Sequence, residues 1–203
     1  MAETTVVDLL RHGQCEGGDI FRGSTDVALS PEGWQSMHAA VTAGAWQRIV
    51  TSPLIRCRQF AEQCAAEWQV PVHVEHGFRE LDFGEWEGCE VARVWSEDRE
   101  RAQAYFSDPG QGGPPGGEPT AAFARRTAAA WDRTLLEYRG EHLLLVQHGG
   151  TIRALLTHVL AMPLSSLQRF DVPYAALSRI CVHHSSRGDF PRLEFHNIGA
   201  RLE

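Results

Sequence analysis

Two histidines stand where an apolar run breaks into glycine: Leu9-Leu10-Arg11-His12-Gly13 near the start, and Leu144-Leu145-Val146-Gln147-His148-Gly149-Gly150 further on. A neutral imidazole is a competent nucleophile toward phosphorus, and a guanidinium grips two phosphate oxygens at once. The Arg11-His12 pair therefore suits phosphoryl transfer through a phosphohistidine. The glycine that follows allows the backbone a close approach to a ligand. The chain has ten histidines, and most have no such setting. His183 and His184 read as surface or packing residues, and His38 as structural.

Such chemistry also needs a proton donor and further positive charge. Arg56 follows Ser52-Pro53, a helix start, and so falls in the first turns, where unpaired N–H groups already favour an anion. Taken alone, that position fits an ordinary solvated helix charge better, as Arg58 is read. The irregular stretch His76 to Gly88 crowds Glu80, Asp82, Glu85 and Glu87 among Phe78, Phe83 and Trp86. Apolar rings around a carboxyl raise its pKa and keep a proton available for a leaving group. Position alone does not choose among the four acids.

The elements that must hold these groups follow from periodicity. Val6 to Leu10 and Leu143 to Val146 are short apolar runs, the pattern of strands buried on both faces in an α/β sheet, where ligands gather at the strands' carboxyl ends. Ile49-Val50-Thr51 is another strand, and Val70, Val72 and Val74 alternate as one, with Pro71 marking an edge or a strand start. Ser30-Pro31-Glu32 carries a capping hydroxyl, a first-turn proline and an acid, and Trp34, Met37, Val41 and Ala45 then share a helical face. Helices are also expected from Ser52 with Leu54, Phe60, Ala61 and Cys64 inward, over Val91 to Tyr105 as one element, from Pro119 to Tyr138, and from Ile152 to Ala161 opened by Thr151. Ile180 and Val182, then Leu193 and Phe195, flank a Ser-Ser-Arg-Gly-Asp turn and read as a terminal hairpin. Between Asp108 and Pro119, nine of twelve residues are Gly or Pro, which marks a surface loop or lid.

The ordered pieces Leu10-Arg11-His12-Gly13-Gln14, Ser52-Pro53-Leu54-Ile55-Arg56, Arg79-Glu80-Leu81-Asp82-Phe83-Gly84-Glu85-Trp86-Glu87-Gly88, Gly117-Glu118 and Val146-Gln147-His148-Gly149-Gly150 resemble the histidine phosphatase superfamily, the phosphoglycerate mutase-like proteins. The Phe-Arg-Gly-Ser segment, Ala-Leu-Ser-Pro-Glu-Gly-Trp and Pro-Gly-Gly-Glu-Pro are most similar to its alpha-ribazole phosphatase branch, of cobalamin synthesis. The resemblance implies a three-layer α/β sandwich with a mostly parallel central sheet and helices on both faces. It implies that His12 is phosphorylated, that Arg11, Arg56 and a cationic His148 surround the phosphoryl oxygens, and that Glu80 donates the proton. Substrate contacts are expected from Gln14, Arg22, Gly23, Ser24 and Gly149. The family's usual Glu-Thr or Glu-Ser after Arg-His-Gly is replaced by Gln14-Cys15, and Gly18 stands in place of its asparagine. Arg22 and Ser24 are the candidates to replace that contact. Gln147 takes the place of a small hydroxyl residue.

Bulk properties narrow the setting. The 203 residues suit one domain, 1–203, with the Gly/Pro loop at 108–119. A net charge of −7 argues against a general nucleic-acid binder. No run approaches the roughly 18 apolar residues of a membrane span, and no leader precedes the first strand, so a cytoplasmic protein without membrane attachment is expected. Five cysteines without paired spacing read as reduced packing residues, although Cys15 and Cys57 lie beside the site arginines, where a cation could activate a thiol. No metal site and no cofactor are expected, since HExxH, paired-cysteine and P-loop spacings are missing. The expected partner is a small-molecule phosphomonoester, with the oligomeric state open and a dimer among the options. Alternatives to an alpha-ribazole 5′-phosphate phosphatase are a broad-specificity small-molecule phosphatase, a cofactor-dependent phosphoglycerate mutase, and a noncatalytic phosphate-binding protein.

Overall fold

In the computed structural model, which describes residues 3–41 and 45–198, strand β1 (Thr4–Arg11) is covered on both sides. Val7 and Leu9 pack with Trp131, Leu135, Ile152 and Leu155 of helices α5 (Thr120–Glu137) and α6 (Gly149–Val159). Leu10 joins Met37, Phe60, Ala61 and Cys64 of α1 (Pro31–Ala40) and α2 (Ile55–Trp68). Two apolar faces on one strand demand helices above and below it, which gives the three-layer sandwich expected. The other strands are β2 (Arg48–Thr51), β3 (Val72–Val74), β4 (His142–Gln147), β5 (Leu177–Ser185) and β6 (Gly188–Ile198).

Among the described residues the six strands lie in the order β3-β2-β4-β1-β5-β6. The β3–β2, β2–β4 and β4–β1 pairs are parallel, while β5 and β6 add antiparallel to that block. Leu10 pairs with Val146 and Arg11 with Gln147, and the His12 N–H donates to the Gln147 carbonyl at 2.8 Å. His12 and His148 thus leave neighbouring strands at the same level. Gly13 is required for a reason other than the one its sequence suggests. A Cβ there would lie 2.2 Å from the Gly33 carbonyl oxygen, so the tight approach is to α1 and not to a ligand.

A third apolar cluster closes the space beyond the strand ends. Helices α3 (Val91–Glu97) and α4 (Arg99–Ser107) supply Val94, Ala102 and Tyr105, which pack with Phe21, Leu81, Trp86 and Phe123. The expected single helix over Val91 to Tyr105 is therefore two, broken at Asp98, whose carboxylate accepts from the Trp86 indole at 2.8 Å and pairs with Arg101. The Gly/Pro stretch is no free lid. Its Pro115 carbonyl accepts from Glu85 N–H, the Glu118 N–H donates to Asp82 O, and Pro109–Gln111 forms a short 3-10 turn.

Smaller corrections concern helix ends. Ser30 caps α1 by accepting from the Gly33 N–H at 3.1 Å, as its sequence suggested, but the helix stops at Ala40 and Ala45 is exposed beyond it. Helix α2 begins at Ile55 rather than Ser52, and α6 spans Gly149–Val159 rather than Ile152 to Ala161, with His148 as its N-cap. No helix among the described residues is long and apolar enough to cross a membrane.

One acid inside the apolar run of β1 is fully buried. Asp8 accepts a bidentate pair from Arg179 at 2.7 and 2.9 Å, the Trp46 indole N–H at 2.8 Å and His142 at 2.9 Å. Burial opposes its charge, yet the bonds from Arg179, His142 and Trp46 hold the carboxyl below its ordinary range.

Candidate active site

The two histidine rings meet edge to face, with centroids 5.2 Å apart. His12 is buried, and its Nδ1 lies 2.8 Å from the Gly13 carbonyl oxygen. A carbonyl only accepts, so Nδ1 carries the proton and Nε2 is left as the free base. Burial, then the charges of Arg56 and Arg11, push the ring well below the ordinary histidine pKa, against the Gly13 hydrogen bond. The ring is neutral at pH 7 with a lone pair on Nε2, the form a nucleophile requires.

His148 is also neutral, which corrects the expectation of a cation. Arg56 Nε donates to its Nδ1 at 3.1 Å, and a guanidinium only donates. The ring proton therefore sits on Nε2, 2.6 Å from Ser52 Oγ. Burial and the Arg56 charge lower the His148 pKa well below the usual value. Positive charge is instead delivered one step behind the ring.

Arg56 is fully buried, so a solvated helix charge is excluded. Besides His148, it donates to the carbonyls of Thr25 and Gly23 at 2.8 Å each and of Arg22 at 3.3 Å. The same loop is gripped from its N–H side by Glu87, which accepts from Ser24 N–H at 2.7 Å, Thr25 N–H at 3.0 Å, Gly23 N–H at 3.3 Å, the Thr25 hydroxyl, and Phe83 N–H at 2.8 Å. Burial opposes the Glu87 charge, but the Thr25 hydroxyl and these backbone donors hold its carboxyl below the ordinary range.

The cavity beside His12 is lined at its polar end by Arg11, Arg22, Glu80, Gly149, Gly150 and Arg153. Glu80 is buried, its two carboxyl oxygens each 2.8 Å from a backbone donor, Leu81 N–H and Gly150 N–H. A Cβ on Gly150 would stand 2.3 Å from that carboxylate, so only glycine admits the contact. Arg11 donates to Val172 O and stacks its guanidinium 4.0 Å from the Tyr174 ring centroid, and Tyr174 also reaches His12. Arg11 Nε and Arg22 Nε are buried N–H donors without a hydrogen-bond partner among the described residues. Such donors are costly unless an acceptor meets them.

Of the expected substrate contacts, Arg22 and Gly149 line this cavity and Gln14, Gly23 and Ser24 do not. Gln14 is exposed and gives its carbonyl to Ser30 N–H. Gly23 and Ser24 serve the clamp between Arg56 and Glu87. Cys15 Sγ lies 3.6 Å from His12 Nδ1, but burial outweighs the nearby cations and raises the thiol pKa, and burial likewise pushes Cys57 up. Neither thiol is activated. Among the described residues no cluster of three or more His, Cys, Asp or Glu could hold a metal.

Several lining residues escaped the sequence reading. Arg153 stands one helical turn after Gly149, a spacing that puts both on one face, and its Nε donates to Phe170 O at 2.9 Å. The apolar wall is made of Phe21, Phe83, Tyr105, Phe106, Phe123 and Leu167. Tyr174 lies in a loop and gave no periodic signal.

Residues 7–194 match the histidine phosphatase superfamily, branch 1. The bifunctional protein Rv2228c of Mycobacterium tuberculosis is 33% identical over 176 residues, covering 84% of this chain and 48% of that protein. The chain thus spans about half the length of that relative. The adenosylcobalamin/alpha-ribazole phosphatase of Salmonella typhimurium is 29% identical over 177 residues, 85% of this chain and 88% of the relative. A mycobacterial glucosyl-3-phosphoglycerate phosphatase, solved in complex with VO3, superposes with a TM-score of 0.84 at 26% identity, over 97% of this chain and 99% of the other. The chain belongs to the histidine phosphatase superfamily, branch 1.

Proposed function

We propose that the chain hydrolyses small-molecule phosphomonoesters through a phosphohistidine on His12, and that its substrate is alpha-ribazole 5′-phosphate. The observation that carries the first part is the free Nε2 of a neutral His12 in one cavity with Glu80 and the idle donors of Arg11 and Arg22. In the first step Nε2 forms a bond to phosphorus, the ester P–O bond breaks, and protonated Glu80 gives its proton to the departing oxygen. In the second, Glu80 as carboxylate takes a proton from water, the oxygen attacks phosphorus, and the P–N bond breaks to release inorganic phosphate. Arg11 and Arg22 stabilise the oxygens of the in-line transition state.

The substrate reading rests on the alpha-ribazole phosphatase relative and on the aromatic wall, which suits a flat base joined to the sugar. A second reading has an observation of its own. Arg153 is a further cation in the cavity, and a carboxylate-bearing ester, as the name glucosyl-3-phosphoglycerate phosphatase suggests for that neighbour, would meet it. This favours a broader phosphatase. The mutase reading has a relative of similar identity, a probable phosphoglycerate mutase, but no feature of the cavity favours it or the noncatalytic reading.

Acid-labile, alkali-stable label on His12 after rapid quenching with labelled substrate tests the intermediate. Its absence, or full turnover by His12→Ala, refutes the mechanism. Specificity constants for alpha-ribazole 5′-phosphate, 3-phosphoglycerate and simple sugar phosphates test the substrate. A preference of at least tenfold for the first is expected, and a flat profile selects the broader reading.

A further inference from the structure

Glu80 lies on an irregular stretch between two short 3-10 turns, His76–Phe78 and Gly84–Trp86, yet carbonyls of this segment converge on a single side chain. Arg126, on α5, donates through Nη1 to Gly77 O at 2.9 Å and Arg79 O at 2.6 Å, and through Nη2 to Glu80 O at 3.0 Å. Its Nε and Nη2 also form a bidentate pair with Glu118, both at 2.7 Å. All five N–H donors of the guanidinium are thereby used. A planar fork held this way has one orientation, because Glu118 fixes the plane and the three carbonyls fix the reach.

Glu118 is itself anchored to the segment it braces. Its N–H donates to Asp82 O at 3.0 Å, and Pro115 O accepts from Glu85 N–H at 2.9 Å. The end of the Gly/Pro stretch therefore closes a ring of contacts around residues 77 to 85. Neither charged side chain lines the cavity, so neither touches the reacting atoms.

We propose that Arg126 and Glu118 are positioning residues that set where Glu80 presents its proton, the Gly/Pro stretch acting as a buttress to the general acid. This rests on the reading of Glu80 as that acid. A free irregular segment would let the carboxyl wander, and misplacement by about 1 Å costs on the order of 100-fold in a step that depends on orientation.

The test is leaving-group dependence, which a merely structural role would not move. Benzyl phosphate needs its alkoxide protonated as it leaves, whereas p-nitrophenyl phosphate releases a stable phenolate. Both carry a ring for the aromatic wall. The readout is kcat/KM for benzyl phosphate divided by that for p-nitrophenyl phosphate, which reports phosphoryl transfer to His12 and not the later hydrolysis. Glu80→Gln is expected to lower this ratio by on the order of 100-fold. Arg126→Gln is expected to lower it by roughly tenfold or more, with Arg126→Lys recovering part and Glu118→Gln falling between. Glu118→Gln keeps the side-chain shape and supplies the reading should Arg126→Gln fold poorly. If the ratio falls in Glu80→Gln but stays constant in both Arg126→Gln and Glu118→Gln, the inference is overturned and the acid role survives. If Glu80→Gln leaves the ratio unchanged, Glu80 is not the acid and the inference goes with it.

Discussion

Arg56 Nε donates to His148 Nδ1 across 3.1 Å, and this one bond decides the protonation of a ring that a phosphate pocket would otherwise be expected to charge. The cation sits on the arginine, and the histidine passes on a polarised N–H to Ser52. His12, just beyond the end of the neighbouring strand, is neutral because burial and then the charges of Arg56 and Arg11 disfavour its proton. The pair therefore presents two neutral imidazoles edge to face, which is the state the proposed attack by His12 requires.

This arrangement makes stability fall with acid. Both rings have folded-state pKa values depressed below the ordinary 6.5, so the unfolded chain binds more protons below that pH. Stability is then complete above about pH 6.5 and declines as pH falls, by about 1.4 kcal/mol per pH unit for each ring. Denaturant midpoints between pH 4.5 and 8 check this. His148→Gln should flatten the slope by about half, and an unchanged slope would mean that the folded pKa of His148 is not depressed. The kcat/KM profile should likewise keep its acidic limb below pH 6.5, since attack needs neutral His12.

The strands were legible because burial on both faces leaves no alternative to apolar residues, and the glycines after His12 and His148 marked their ends. Other features depend on partners far away in sequence. Nothing near Arg56 announces that the carbonyls of Arg22, Gly23 and Thr25 will take its donors. Asp98 looks like one more surface acid on a continuous helical pattern until the Trp86 indole meets it. Loop residues carry no period at all, so only the resemblance sets Ser24 and Gln14 among the substrate contacts, and the structure gives their backbones to Glu87 and Ser30 instead.

Glu87 grips the N–H side of the loop whose carbonyls hold Arg56. Glu87→Gln replaces an acceptor-only group by one with a single accepting oxygen, so part of the N–H set from Gly23 to Thr25 loses its partner. A loss of about 1–3 kcal/mol is expected, read as a lower urea midpoint. Because the loop carbonyls hold Arg56, activity should fall in the same variant by more than the unfolded fraction explains. Wild-type kcat/KM in a destabilised Glu87→Gln protein would disprove the coupling.

Asp8 supplies a stability prediction independent of the site. Removing its charge weakens the bonds it takes from Arg179, His142 and Trp46, and because the Arg179 side chain is 30% exposed and can turn to water, a loss of about 1–3 kcal/mol is expected. Asp8→Asn should show this loss by thermal or urea unfolding while retaining KM. Since the folded pKa of Asp8 is lowered, the stability it confers is present above the ordinary carboxyl pKa of 3.8 and is lost only as pH falls through its folded value. The histidines must therefore fail first on acidification, and a variant lacking Asp8 should still lose stability between pH 6.5 and 5.

Arg153 separates the two substrate readings. It lines the cavity beside Arg11, whose Nε and its own Nη1 both lie within 3.4 Å of a Cβ position on Gly149. Two cations this close repel, and burial lowers the pKa of each, so a ligand anion between them stabilises both. If the anion is only the phosphoryl group, Arg153→Gln should reduce kcat/KM by a similar factor for every monoester. If Arg153 instead reads a carboxylate on the alcohol, KM for 3-phosphoglycerate should rise about tenfold, equivalent to roughly 1.4 kcal/mol, while benzyl phosphate changes by less than about twofold by the same measure. Measuring both substrates in one variant decides it, because the phosphoryl group is common to the two and the carboxylate is not.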